Sequence, residues 1–170
     1  MTNWLYSNSP DNKNRYTLGE VGDNPLIVIG VNPSTAEPEN LDPTLRQVKS
    51  RALSLGYDSW IMINLYPQRA TNPDDMDAEL NQEIHMKNLE EIKKCLPSGC
   101  DIWAAWGTLI EKRPYLSDCL RDLYNALGSE YKWFTIGKRS KAGHPHHPLY
   151  LGKDLPLEDF DIERYINELS

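Results

Sequence analysis

No window of this 170-residue chain approaches the about 18 consecutive apolar residues that a membrane-spanning helix needs. Its opening stretch, MTNWLYSNSP, has neither the basic nor the apolar region of a secretory leader, so the expected compartment is the cytoplasm, with no membrane partner. Cysteine is scarce. Cys95, Cys100 and Cys119 are odd in number and fit no C-x-x-C spacing, so they read as buried or half-buried thiols rather than metal ligands. Basic charge is short as well: the formal net charge is -7 and the isoelectric point is about 5.1. That weighs against broad nucleic-acid binding, which draws most of its affinity from neutralising phosphates. Internal repeats, linkers and a second-domain boundary are also missing, and 170 residues can bury one proper core. The expectation is a single domain over 1–170.

What is present is an alternation of strand and helix patterns. Strands are predicted at 26–31, 59–64, 101–106 and 131–136. Asp42-Pro43 supplies an N-cap and a first-turn proline for a helix with Leu45, Val48, Ala52 and Leu55 inward, stopped by Gly56. Further helices are predicted at 79–95, after Pro114 to Gly128, and at about 159–168. Residues 1–25 read as a hairpin or an irregular cover. The order predicts an α/β fold: a four-stranded parallel central sheet with helices on both faces, in three layers.

Polar groups recur where these strands end. Asn32-Pro33-Ser34-Thr35 follows the first, Asn64 closes the second, Trp106-Gly107 ends the third, and the basic, histidine-rich GKRSKAGHPHH follows the fourth. In open α/β sheets the carboxyl edge is where ligands bind, because the crossovers leave a crevice there. A predicted pocket therefore gathers Asn32, Asn64 and His147. Asn64 has an amide donor and acceptor, enough for two bonds to one ligand edge. Ser34, Thr35 and Thr44 suit a phosphate at the N-terminus of the following helix, as does the fork of Arg69 beside Thr71. Lys138 and Arg139 are candidates for a local phosphate patch in an otherwise acidic chain. His144, His146 and His147 crowd around Pro145 and do not easily converge on one ion, so neither a metal nor a cofactor is expected.

Four blocks carry a family resemblance. GVNPS (30–34) resembles the G-x-N-P motif of mismatch-specific uracil-DNA glycosylases. IMIN (61–64) is similar to the strand that ends in the base-reading asparagine of uracil-DNA glycosylases, and IWAAWG (102–107) to their apolar-Trp-Gly strand. HPLY (147–150) resembles their His-Pro motif. The whole pattern is closer still to domain-of-unknown-function family 1643, whose N-P-S-T-A, D-P-T, N-L-x-x-x-R-A-T and H-P-L-Y segments match Asn32–Ala36, Asp42–Thr44, Asn64–Thr71 and His147–Tyr150.

The glycosylase resemblance implies a uracil-DNA glycosylase-like fold. It also implies that Asn32 holds a water, that Pro33 stiffens its backbone and that His147 donates to a departing base. Candidate substrate-binding residues further include Asp42, Pro148 and Gly107, with Tyr66, Tyr150 or Trp106 as stacking aromatics. Two departures stand out: residues 34–37 are Ser-Thr-Ala-Glu where an aromatic is common, and Leu149 replaces a serine that grips backbone phosphate. They point away from plain uracil in a duplex.

Each feature also has a plainer reading. Asn32–Thr35 can be a turn and helix start, Asp42 an N-cap, Arg69 and Thr71 a loop brace, Trp106 and Tyr150 packing, and Lys138, Arg139 and Lys141 a solvated face. Three functions stay in play: an N-glycosidic bond hydrolase, a module that binds a nucleotide or modified base without cleaving it, and another small-molecule hydrolase. The expected partner is a nucleotide, or a nucleic acid that is single-stranded or presents a flipped base.

Overall fold

Runs such as LIVI at 26–29 and WIMI at 60–63 are apolar at every position, a pattern that suits strands covered on both faces. A computed structural model describes residues 2–152 and 154–169, with the backbone alone at position 150. Among the described residues the elements run β1 (Trp4–Asn8), β2 (Arg15–Glu20), β3 (Pro25–Gly30), α1 (Pro43–Ser54), β4 (Ser59–Asn64), α2 (Gln82–Cys95), β5 (Asp101–Ala104), α3 (Tyr115–Leu127), β6 (Lys132–Ile136), β7 (Leu157–Asp159) and α4 (Ile162–Glu168). One seven-stranded sheet has the order β1-β2-β4-β3-β5-β6-β7.

The four expected strands form its middle and are parallel: β3 pairs with β4 and β5, and β5 with β6. The expectation of four strands is corrected at both edges. The hairpin β1–β2 adds antiparallel beside β4, and β7 adds antiparallel beside β6. The predicted helix at 159–168 accordingly gives up its start to β7 and begins at Ile162.

Alternation sorts the strand residues between two cores. Leu26, Val28, Trp60, Met62 and Trp103 face α1 through Leu45, Val48 and Ala52. Ile27, Ile29, Ile61, Ile63, Ile102 and Ala104 face the opposite way, toward Ile92 of α2, Leu116, Leu120 and Leu123 of α3, and Ile166 of α4. Helices therefore cover both faces.

Strand order fixes where a crevice can open. From β3 the chain crosses over α1 to β4 on one side, then over α2 to β5 on the other. The crossovers that leave β3 and β5 run on opposite faces, so their carboxyl ends diverge and leave a gap.

Candidate functional site

A cavity of about 440 Å³ occupies that gap, a volume ordinary for small-ligand sites. By strand parity Gly30, Met62, Asn64 and Ala105 present to the α1 face, and all four line it. Asn32, Ser34, Asp42, Thr71 and His147 add its polar groups, with Leu109 and Leu149 on the apolar side.

Asn64 is the unusual residue. Only 1% of it is exposed, and both its Oδ1 and Nδ2 are sealed from solvent with no hydrogen-bond partner among the described residues. Its backbone is well held: Gly30 lies opposite in the β3–β4 ladder, and the Asn88 amide donates to the Asn64 carbonyl at 3.0 Å. Gly30 also makes the room, since a Cβ there would stand 3.0 Å from Asn64 Oδ1. An unpartnered buried polar group costs about 1–3 kcal/mol, so the side chain is held at a cost to stability.

Asn32 follows β3, and its Nδ2 donates to the carbonyls of Pro33 (3.1 Å), Gln68 (3.2 Å) and Ala70 (3.0 Å). The amide thereby clamps the loop after β3 to the loop after β4, helped by the 2.8 Å contact between the Ser34 and Thr71 hydroxyls. Asp42 is the N-cap of α1, accepting from Leu45 N–H at 2.9 Å, and it also lines the cavity.

His147 stands at the N-terminal end of the short 3₁₀ turn Pro148–Tyr150, where its Nδ1 accepts from Leu149 N–H at 3.3 Å. With Nδ1 as acceptor, the neutral ring carries its proton on Nε2. Burial holds the His147 pKa below its ordinary 6.5, and the charge of Asp42 pulls the other way. Gly107 admits this segment: it has a left-handed φ of +63°, and an added Cβ would meet His147 Cβ at 3.3 Å. His147 and Leu109 also line a neighbouring cavity of about 500 Å³, to which Gly107 and His146 belong.

The structure thus brings together Asn32, Pro33, Ser34, Asp42, Thr44, Asn64, Thr71, His147 and Pro148 of the expected set. Others lie elsewhere. Tyr66 is fully buried against Tyr115, ring centroids 5.1 Å apart, and its hydroxyl accepts from Asn81 N–H. Arg69 braces a loop: Nη1 donates to the carbonyls of Ser34 and Ala36, and Nη2 to Tyr6 Oη and Asn12 Oδ1. Thr35 is exposed and does not line the cavity. Lys138 and Arg139 line a different groove, among Glu158, Asp159 and Asp161. The side chain of Tyr150 lies outside the described residues.

Trp106 is packing, at the head of a proton-ordered chain. Its Nε1 donates to Tyr165 Oη at 2.9 Å. The Glu111 carboxylate, 2.8 Å away, accepts from His144 Nε2–H, so in the neutral ring Nδ1 is the acceptor and takes the Tyr165 hydroxyl proton at 2.6 Å. Burial first of all pushes the Tyr165 pKa up to about 12, which keeps this hydroxyl a donor. The chain ties α4 to the loop that carries His147.

Sequence reasoning missed Arg15, which is 1% exposed and lines the cavity. A polar residue opening RYTLGE gave no sign of burial. Among the described residues, no three His, Cys, Asp or Glu side chains form a group that could hold a metal ion.

A family model described as a protein of unknown function, DUF1643, matches residues 15–149. The match runs from Arg15 to Leu149 and so takes in every residue that lines the cavity. No curated protein and no solved structure matches the chain.

Proposed function

We propose, for a chain that belongs to the DUF1643 family, hydrolysis of the N-glycosidic bond of a plain or modified base, on a fold of the uracil-DNA glycosylase type. The observation that carries the reading is Asn64: a buried amide with donor and acceptor both unpartnered, lining a cavity large enough for a base. Water reaches neither atom as they stand; a pyrimidine edge offers the complementary pair, and a rotation of the side chain toward the cavity would satisfy both.

The remaining groups suit the charges that cleavage develops. Water adds across the bond from the sugar C1′ to the base nitrogen: the sugar takes the hydroxyl, and the base leaves with the bonding electrons and gains the proton. Asp42 lines the cavity, and its carboxylate suits the positive charge that grows on the sugar. His147, neutral at pH 7 because burial lowers its pKa, donates from Nε2 to the departing base. A preorganised donor of this kind is worth about 3–4 kcal/mol of barrier. Asn32 Nδ2 is spent on the loop clamp, which leaves Oδ1 as the atom that accepts from the attacking water.

A second reading has its own support. The threefold use of Asn32 Nδ2 by backbone carbonyls fits a module that binds a base or nucleotide and does not cleave it. One assay separates the two. Canonical, deaminated and hypermodified bases are offered in single-stranded oligonucleotides and as free nucleotides, and freed base is read by mass spectrometry. Release from one class of substrate is expected. Binding of a nucleotide with no release over many hours would replace the hydrolase by the binding module.

A further inference from the structure

Arg15 is the only lysine or arginine among the described residues that line the cavity. Its Nη1 donates to the Ala36 carbonyl at 3.2 Å, while its Nε is sealed and unpartnered, and no described carboxylate is ion-paired with it. Burial and the neighbouring Arg69 lower its pKa to about 10, so it remains a cation at pH 7. Asp42 is the acid that offsets it, and that carboxylate already caps α1. Arg69 is a second guanidinium close enough to act on Arg15.

Removing an unpaired charge from water is among the costliest acts in folding. A fold that keeps such a group at a cavity has a place for an anion. The N-terminus of the 12-residue α1 opens on the same cavity through Thr44 and Leu45; Pro43 has no N–H and the Leu45 N–H is given to Asp42, so the helix offers the Thr44 N–H and its partial positive charge. Two buried side chains with unpartnered polar atoms, Arg15 and Asn64, then mark two ends of one ligand: an anion and a base edge.

We infer that the ligand is a mononucleotide, its phosphate taken by Arg15 at the N-terminus of α1 and its base edge by Asn64, which rests on the base-reading role proposed above. A strand would need further cations to receive its next phosphates. The lining offers none: Lys138 and Arg139 line another groove, Arg69 is spent on the loop, and the chain's net charge is -7. One buried cation suits one phosphate.

Calorimetric titration of the wild-type protein tests this, with deoxyuridine, thymidine and deoxycytidine 5′-monophosphates, their nucleosides, inorganic phosphate, and a single-stranded oligonucleotide of the same bases. At least one monophosphate is expected to bind 10-fold or more tighter than its nucleoside, to be displaced by inorganic phosphate, and to outbind the oligonucleotide (about 1.4 kcal/mol per factor of ten). Arg15→Gln should erase the advantage over the nucleoside; where that variant does not hold its fold, the wild-type series decides alone. Equal binding of nucleoside and monophosphate, tighter binding of the oligonucleotide, or binding of none of the probes would overturn the inference. Tight monophosphate binding without base release leaves it standing and removes the hydrolase. Base release from the oligonucleotide alone removes the inference and leaves the hydrolase.

Discussion

Asn32 and His147 are tied to the fold in different ways, and their substitutions should separate accordingly. Asn32 Nδ2 meets three carbonyls from two loops, so Asn32→Ala leaves acceptors unpaired and should cost about 1–3 kcal/mol of stability as well as function. Chemical denaturation checks the first part, and a melt like that of the wild type would show that the clamp contributes nothing. His147 is a pH matter. Its folded pKa is lowered, chiefly by burial, so protonation favours the unfolded chain. Its contribution to stability is full above about pH 6.5 and is lost as pH falls through the lowered folded value. Base release carried by the neutral ring should hold level from pH 8 to 6.5 and decline only below that. A rate that climbs on acidification would mean that imidazolium is the donor. These roles were only half legible in the sequence. The residue types at the strand ends were plain, but a side chain's direction was not: Tyr66 and Trp106 turn into the core facing α2–α4, while Asn64, one strand position away from Ile63, turns into the cavity.

At the scale of elements, the parallel core strands and three of the helices were readable because each rule acted locally. Apolar runs marked β3, β4 and β5, Asp42-Pro43 opened α1, and Gly128 at φ +79° closed α3. The edges were harder. β7 is the short, polar LED, held to β6 by backbone pairing that side-chain pattern does not announce. Arg15 belongs to a hairpin strand buried on both sides, and it bonds to the loops after β3 and β4, which lie far along the chain. The junction of β5 with the His147 segment makes its own test. Gly107 adopts φ +63° with an added Cβ 3.3 Å from His147 Cβ, so Gly107→Ala adds left-handed strain of about 1–2 kcal/mol and crowds the histidine. Both a lower melting temperature and slower base release are expected. Release at the wild-type rate would show that the close approach of these two segments does not position His147.

At the scale of the molecule, charge and stability both bear on function. The expected basic patch falls in a groove among Glu158, Asp159 and Asp161, so the double change Lys138→Glu, Arg139→Glu should alter monophosphate affinity by less than about twofold at physiological salt. A tenfold loss would bring that groove into the ligand's path. Stability is the sharper measure, because a folded chain keeps a buried, unpartnered amide only at the expense of its own free energy. Asn64→Leu replaces that amide by an apolar group of similar size, which removes the unmet hydrogen bonds and the recognition together. Thermal melts of wild type and Asn64→Leu, each with and without pyrimidine deoxynucleoside monophosphate, read both consequences in one experiment. The variant is expected to melt at or above the wild-type temperature, and to lose the ligand-induced rise that the wild type shows. A variant that melts lower yet keeps the full ligand-induced rise would show that Asn64 serves the fold and not the site.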